Sequence, residues 1–100
     1  MSKLEDELAQ HLDLARIPYE REYQAIKGRK LRWDFYFFPN LLVEVQGGIW
    51  RKGGHTTGTG IKRDCEKVCL ATLAGFRQLL VTREHIESGQ ALRWIQEALC

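Results

Sequence analysis

The sequence contains no apolar run near the roughly 20 residues that a bilayer crossing needs. It has three cysteines in 100 residues, one of them the last residue. So few cannot form a complete disulfide framework. The opening segment, Met1-Ser2-Lys3-Leu4-Glu5-Asp6-Glu7, lacks the basic character of a signal or transit peptide. Repeats, linkers and low-complexity segments are absent as well. Together these absences lead us to expect a soluble, reduced, cytoplasmic chain with no membrane partner. What is present is an ordinary globular mixture, with 44% hydrophobic and 28% charged residues. That balance excludes a disordered chain, a coiled coil and a collagen-like fibre, and the length allows one domain, 1–100.

The formal charge of +2 hides a division along the chain. Residues 1–15 set Lys3 against Glu5, Asp6, Glu7 and Asp13, a net −3. Residues 16–33 set Arg16, Arg21, Lys27, Arg29, Lys30 and Arg32 against Glu20 and Glu22, a net +4. Residues 47–67 set Arg51, Lys52, Lys62, Arg63 and Lys67 against Asp64 and Glu66, a net +3. Between the two basic regions the only charges are Asp34 and Glu44. Basic surroundings attract a polyanion, and isolated carboxylates can hold a cation against it. A solvated surface of mixed charge is the plainer alternative.

Ser2 and Glu5 fit a capping box, and Leu4, Leu8, Leu12 and Ala15 recur at helical spacing, which predicts a helix over 3–15 ahead of Pro18. Strands are expected over 19–26, 31–38 and 41–46, with turns at Lys27–Lys30 and Pro39-Asn40. Residues 47–60 hold six glycines and read as a long loop. Ile61, Cys65, Val68 or Cys69, and Thr72 space a second helix that Gly75 ends. Phe76–Val81 reads as a strand. Thr82 could cap a short turn, although His85 stands where a capping box wants Glu or Gln. Ser88 or Gly89 begins a last helix with Leu92, Ile95 and Leu99. The order α-β-β-β-α-β-α implies an α/β fold, a mixed sheet flanked by helices.

The two-residue period of a strand puts Leu31, Trp33, Phe35 and Phe37 on one face and Arg32, Asp34 and Tyr36 on the other. It also separates Leu41, Val43 and Val45 from Leu42, Glu44 and Gln46. If the apolar faces are core, Asp34, Glu44 and Gln46 lie together. A two-residue hairpin loop at Pro39-Asn40 would defeat this, setting Asp34 opposite Val45. Pairing residue 37 with 41 sets Asp34 opposite Glu44, and pairing 38 with 42 sets it opposite Gln46. A three-residue connection or a bulge is therefore expected. Facing carboxylates repel, so the arrangement needs a cation, and oxygen ligands point to Mg²⁺ or Mn²⁺.

Asp34 followed after nine residues by Glu44-Val45-Gln46, on two hydrophobic strands in this element order, resembles the PD-(D/E)XK nuclease superfamily and its restriction-endonuclease-like core. Glu44-Val45-Gln46-Gly47-Gly48, His55 and Lys62-Arg63-Asp64-Cys65-Glu66-Lys67 resemble the small phage and bacterial members of its very-short-patch-repair-like branch. The resemblance implies a metal-dependent DNA endonuclease working in a bacterial or phage-infected cell. Asp34, Glu44 and the Val45 carbonyl would then be metal ligands, with Glu7 of the first helix acting through water. Gln46 stands where the family usually has lysine, and an amide neither takes a proton nor carries charge. Lys62 or Lys67 would supply the missing cation. Tyr36, Gln46 and His55 are candidates to orient water or phosphate.

Arg29, Lys30, Arg32, Arg51, Lys52, His55 and Arg63 are the candidate DNA contacts, to phosphates rather than bases. Gly53-Gly54-His55-Thr56-Thr57-Gly58 is not a phosphate-binding loop of the Gly-Lys-Thr/Ser type. Cys65 and Cys69 read as helix packing rather than a zinc site, since no histidine is spaced to join them. Trp33 and Trp94 read as core, and Trp50 as a base-stacking or loop-closing residue. One site cuts one strand, so duplex cutting would favour a homodimer. A non-catalytic nucleic-acid-binding domain of the same fold is the alternative function.

Overall fold

The computed structural model of the protein describes residues 3–46 and 58–100. Its elements are α1 (Lys3–Leu14), β1 (Glu20–Tyr23), β2 (Trp33–Phe37), β3 (Leu41–Val45), α2 (Gly58–Leu73), β4 (Arg77–Val81), α3 (Arg83–Glu87) and α4 (Gln90–Leu99). The expected architecture is present, a mixed four-stranded sheet with helices on both faces. The strands lie in the order β1-β2-β3-β4. The first three form an antiparallel meander, and the α2 crossover returns β4 parallel to β3.

The turn between β2 and β3 sets the register on which the site depends. Phe37 pairs with Leu41, Tyr36 with Leu42 and Phe35 with Val43. Three residues, Phe38 to Asn40, therefore make the connection, and one step further the same register sets Asp34 against Glu44. The odd loop is the first of the two registers that sequence alone left open.

On one face of the sheet, α1, α3 and α4 cover Phe35, Phe37, Leu41, Val43 and Val81 with Leu4, Leu8, Leu12, Ile86, Ala91 and Ile95. These are the residues that the 3.6-residue and two-residue periods select. Leu8, Leu12, Ile86 and Ile95 lose all solvent contact, each contributing about 1.5–3 kcal/mol of hydrophobic stabilisation. α1 ends in a turn closed by Ile17 N–H to the Leu12 carbonyl and Arg16 N–H to the Asp13 carbonyl. This places Arg16 at φ +60°, a position where glycine is usual. α2 closes the same way at Gly75, φ +91°, as its sequence position predicts.

The opposite face carries a smaller cluster of Trp33, Tyr36, Leu42 and Ala71, with Tyr23 and Phe76 against it. Here several expectations are corrected. Trp33 is buried, but away from Phe35 and Phe37. Strict alternation fails there because regular β2–β3 pairing stops at Phe35–Val43 and Glu22 of the neighbouring strand takes φ +50°. Tyr23, just past Glu22, consequently stacks on Tyr36 with ring centroids 4.0 Å apart. β1 is four residues long rather than the eight expected.

α2 corrects a further expectation. Its stripe of Ile61, Cys65, Val68 and Cys69 faces outward, and both cysteines are exposed. Among the described side chains of α2, Ala71 reaches full burial.

The segment after β4 forms a short helix that the expected order omits. The Thr82 hydroxyl accepts from His85 N–H, while Thr82 N–H donates to His85 Nδ1 at 3.1 Å. Histidine thus takes the place of Glu or Gln in the capping box. The proposed Ser2 cap and the 47–57 loop lie outside the described residues.

Candidate active site

Where regular pairing of β2 and β3 stops, two carboxylates take over the backbone hydrogen bonds. Glu44 Oε1 accepts from Asp34 N–H at 3.2 Å, and Asp34 Oδ2 accepts from Val45 N–H at 2.7 Å. Asp34 and Glu44 are therefore on one side of the sheet and in contact. The Lys67 ammonium, one-eighth exposed, forms an ion pair with Glu44 Oε2. It also donates to the Arg32 carbonyl at 2.6 Å and lies 4.9 Å from the centre of the Trp33 ring. Trp33 in turn donates from Nε1 to Gln78 Oε1 at 3.2 Å, and Gln78 Nε2 donates to the Val68 carbonyl. α2 is thus anchored over the sheet through polar contacts centred on Lys67.

These groups floor an open cleft of about 690 Å³. Its walls include Lys30 and Arg32 from the β1–β2 connection, Arg63 and Asp64 from α2, and Gln46 at the end of β3. Gln46 is half-buried, its N–H donating to the Val81 carbonyl at 2.7 Å. Arg32 is paired with Glu22 at 2.9 Å on the rim.

Burial pushes the Asp34 carboxyl up to about 6, and the adjacent Glu44 charge adds to the effect. The Val45 N–H and the Lys67 ammonium pull in the opposite direction without cancelling it. A divalent cation between the two carboxylates would relieve this repulsion, and their oxygens are hard donors suited to Mg²⁺ or Mn²⁺. Among the described residues no group of three or more His, Cys, Asp and Glu converges. Protein ligation here would consist of the two carboxylates supplemented by main-chain oxygen, the Val45 carbonyl being the candidate.

The candidate residues separate clearly by position. Asp34, Glu44, Val45, Gln46, Lys67, Lys30, Arg32 and Arg63 border the cleft. Lys62 is exposed on α2 and lies outside its lining, so Lys67 is the lysine of the pair that meets the carboxylates. Arg29 is exposed in the turn that its N–H closes to the Ile26 carbonyl, also outside the lining. Tyr36 is buried and donates its hydroxyl to the Pro39 carbonyl, away from the cleft. Glu7 sits 3.9 Å from His11 on α1 rather than on the cleft. Glu5 is the α1 carboxylate that borders it, held 3.7 Å from Arg21. The sequence pattern fits Glu5 to a capping box, which does not mark it as a cleft residue. Spacing alone could not rank Glu5 above Glu7, because both flank the buried Leu4–Leu8 line and the tilt of α1 decides which meets the cleft. Arg51, Lys52 and His55 lie outside the described residues.

No protein-family model and no curated protein matches the chain in sequence. Its structure is similar to the catalytic domain of the homing endonuclease I-Bth0305I, with a TM-score of 0.73 and 19% identity, over 97% of this chain and 93% of that one. The likeness establishes a shared endonuclease-like fold. Among the described residues, no helix is long and apolar enough to cross a membrane.

Proposed function

We propose that the protein is a metal-dependent endonuclease that hydrolyses DNA phosphodiester bonds, in the manner of PD-(D/E)XK nucleases of the very-short-patch-repair-like branch. One observation carries the reading: Asp34 and Glu44 meet at the open end of β2 and β3, with the Lys67 ammonium on Glu44, in a cleft rimmed by Lys30, Arg32 and Arg63. The lining sets five carboxylates (Glu5, Glu22, Asp34, Glu44 and Asp64) against four cations (Lys30, Arg32, Arg63 and Lys67), so a divalent cation held by Asp34 and Glu44 would turn the balance in favour of a phosphodiester. The endonuclease-like fold supports the same conclusion.

Asp34 and Glu44, with the Val45 carbonyl, would hold Mg²⁺ or Mn²⁺. When bound, such an ion polarises the scissile phosphate and lowers the pKa of an attacking water. Lys67 supplies the fixed positive charge that Gln46 cannot, neutralising charge that grows on the phosphate. Its contacts to the Arg32 carbonyl and the Trp33 ring hold it beside the carboxylates. The Gln46 amide serves as a neutral donor and acceptor to orient water or phosphate. Lys30, Arg32 and Arg63 bind backbone phosphates and position the strand. Two copies would serve the two strands of a duplex.

The test is incubation with supercoiled, linear and branched DNA in Mg²⁺, Mn²⁺ or EDTA. Cutting in metal but not in EDTA is expected, lost in Asp34→Ala and Glu44→Ala chains that still fold and bind DNA. A second reading has its own observation: both carboxylates already cap backbone N–H groups or pair with Lys67, as in a purely structural strand end. DNA binding that weakens with salt but yields no product in any metal would establish that reading, a binding domain of the same fold.

A further inference from the structure

Helix α2 has its apolar side on the outside. Ile61 is 50% exposed and Val68 43%, and Cys65 lies between them with its thiol free. Leu80 of β4, beside Val68, is 49% exposed and extends the patch towards the sheet edge. Positions 61, 65 and 68 follow one line along a helix. Lys62 and Glu66, one turn apart, flank that line on the side away from the sheet. Neither makes an ion pair among the described residues. Meanwhile Arg63, Asp64 and Lys67, on the other flank, border the cleft.

We propose that this line is the contact face of a homodimer in which α2 packs antiparallel on α2 of a second copy, about a two-fold axis close to Cys65. The occupant follows from charge. A single antiparallel register, to within one residue, sets Ile61 on Val68 of the second copy, Cys65 on Cys65, and Lys62 on Glu66. The two-fold makes the apolar contact and the ion pair twice. A parallel pairing would instead oppose like charges, Lys62 to Lys62 and Glu66 to Glu66. The arrangement leaves the cleft flank of α2 uncovered and places two clefts beside a common axis. It gives a face to the homodimer of the nuclease reading, and its test reads assembly rather than cleavage, so either can fail alone.

A pair of 16-residue helices is at the small end of specific interfaces, so the reduced protein should associate in a concentration-dependent way. The sensitive probe is disulfide trapping of three full-length chains, each retaining one of Cys65, Cys69 and Cys100 with serine at the other two positions. Under mild oxidation the Cys65 chain should give about tenfold more covalent dimer than the others, because the interface raises its effective concentration. In that chain Ile61→Lys should reduce the yield to that of the Cys100 chain. Lys62→Glu should lower it, and Lys62→Glu with Glu66→Lys should restore it. Far-UV circular dichroism confirms that each chain is folded. Equal trapping at all three cysteines, preference for Cys69 or Cys100, or a yield indifferent to charge reversal overturns the proposal. A reduced wild-type chain that sediments as a monomer at every concentration up to the millimolar range overturns it too.

Discussion

The two faces of this four-stranded sheet are covered by helices in opposite ways. Under α1, α3 and α4, aliphatic and aromatic side chains interlock, and the helices turn their apolar stripes inward. Under α2, the contact centres on Lys67, Glu44, Trp33 and Gln78, and the apolar stripe points outward. The first face can be judged by periodicity, since hydrophobic burial depends mainly on area removed from water. The second adds directional contacts between particular atoms to a smaller apolar cluster around Trp33, Tyr36, Leu42 and Ala71. Periodicity carries no information about those contacts, and applied alone it would turn α2 by about a third of a revolution. The chemistry lies on the second face.

The contrast can be broken most sharply at the carboxylates. Under the nuclease reading, Glu44→Ala should remove metal-dependent cutting altogether in the plasmid assay, whereas Glu97→Ala, exposed on α4 away from the cleft, should leave it near the wild-type rate.

The next effect is on stability. Leu8→Ala or Ile95→Ala, on the packed face, should cost about 2–5 kcal/mol in urea denaturation. Val68→Ala, on the outer face of α2, should stay within about 0.5 kcal/mol at protein concentrations that keep the chain monomeric.

A third test uses pH. The folded state holds the Asp34 proton up to about pH 6, above the ordinary value of 3.8. Between those values the native state therefore binds more protons than the unfolded one, and this group makes stability fall as pH rises. In EDTA, Asp34→Asn should raise the melting temperature at pH 7–8, with the gain shrinking towards pH 4. Bound Mg²⁺ should reduce or reverse the gain, because it favours the ionised carboxyl. A wild-type advantage in EDTA at pH 7 would contradict the electrostatic account of the site.

The smallest effect concerns the helix that covers the packed face. Arg16 holds a left-handed backbone at φ +60°, which costs a non-glycine residue about 1–2 kcal/mol. Arg16→Gly should recover up to about 1 kcal/mol in thermal or urea unfolding without changing cleavage.

Much of the site was legible because it rests on short-range rules. Asp34 and Glu44 stand out as charges between apolar strands, and a strand's period of two forces an odd loop at Pro39 if they are to meet. The loop has three residues, and they meet. Lys67 was legible only as one of two lysines, since helical spacing cannot say which side of α2 faces the sheet. Glu5 was passed over for Glu7 for a similar reason, the tilt of α1. Trp33 changed faces because Glu22 departs from extended backbone, a departure with no glycine or proline to mark it. The His85 capping box was missed because its acceptor is a ring nitrogen rather than a carboxylate.

By itself, then, the amino-acid order determined the main helices and strands, the α1 core stripe, the stop at Gly75 and an odd β2–β3 connection that sets Asp34 opposite either Glu44 or Gln46. Each follows from backbone geometry and burial within a few residues of the chain. Tertiary structure alone decided which carboxylate of α1 reaches the cleft, which lysine of α2 meets Glu44, and that the apolar stripe of α2 faces outward. Those choices depend on the angles at which helices settle on the sheet. The angles are set by the summed packing and hydrogen bonding of residues far apart in sequence, such as Lys67 with Glu44 and Trp33 with Gln78.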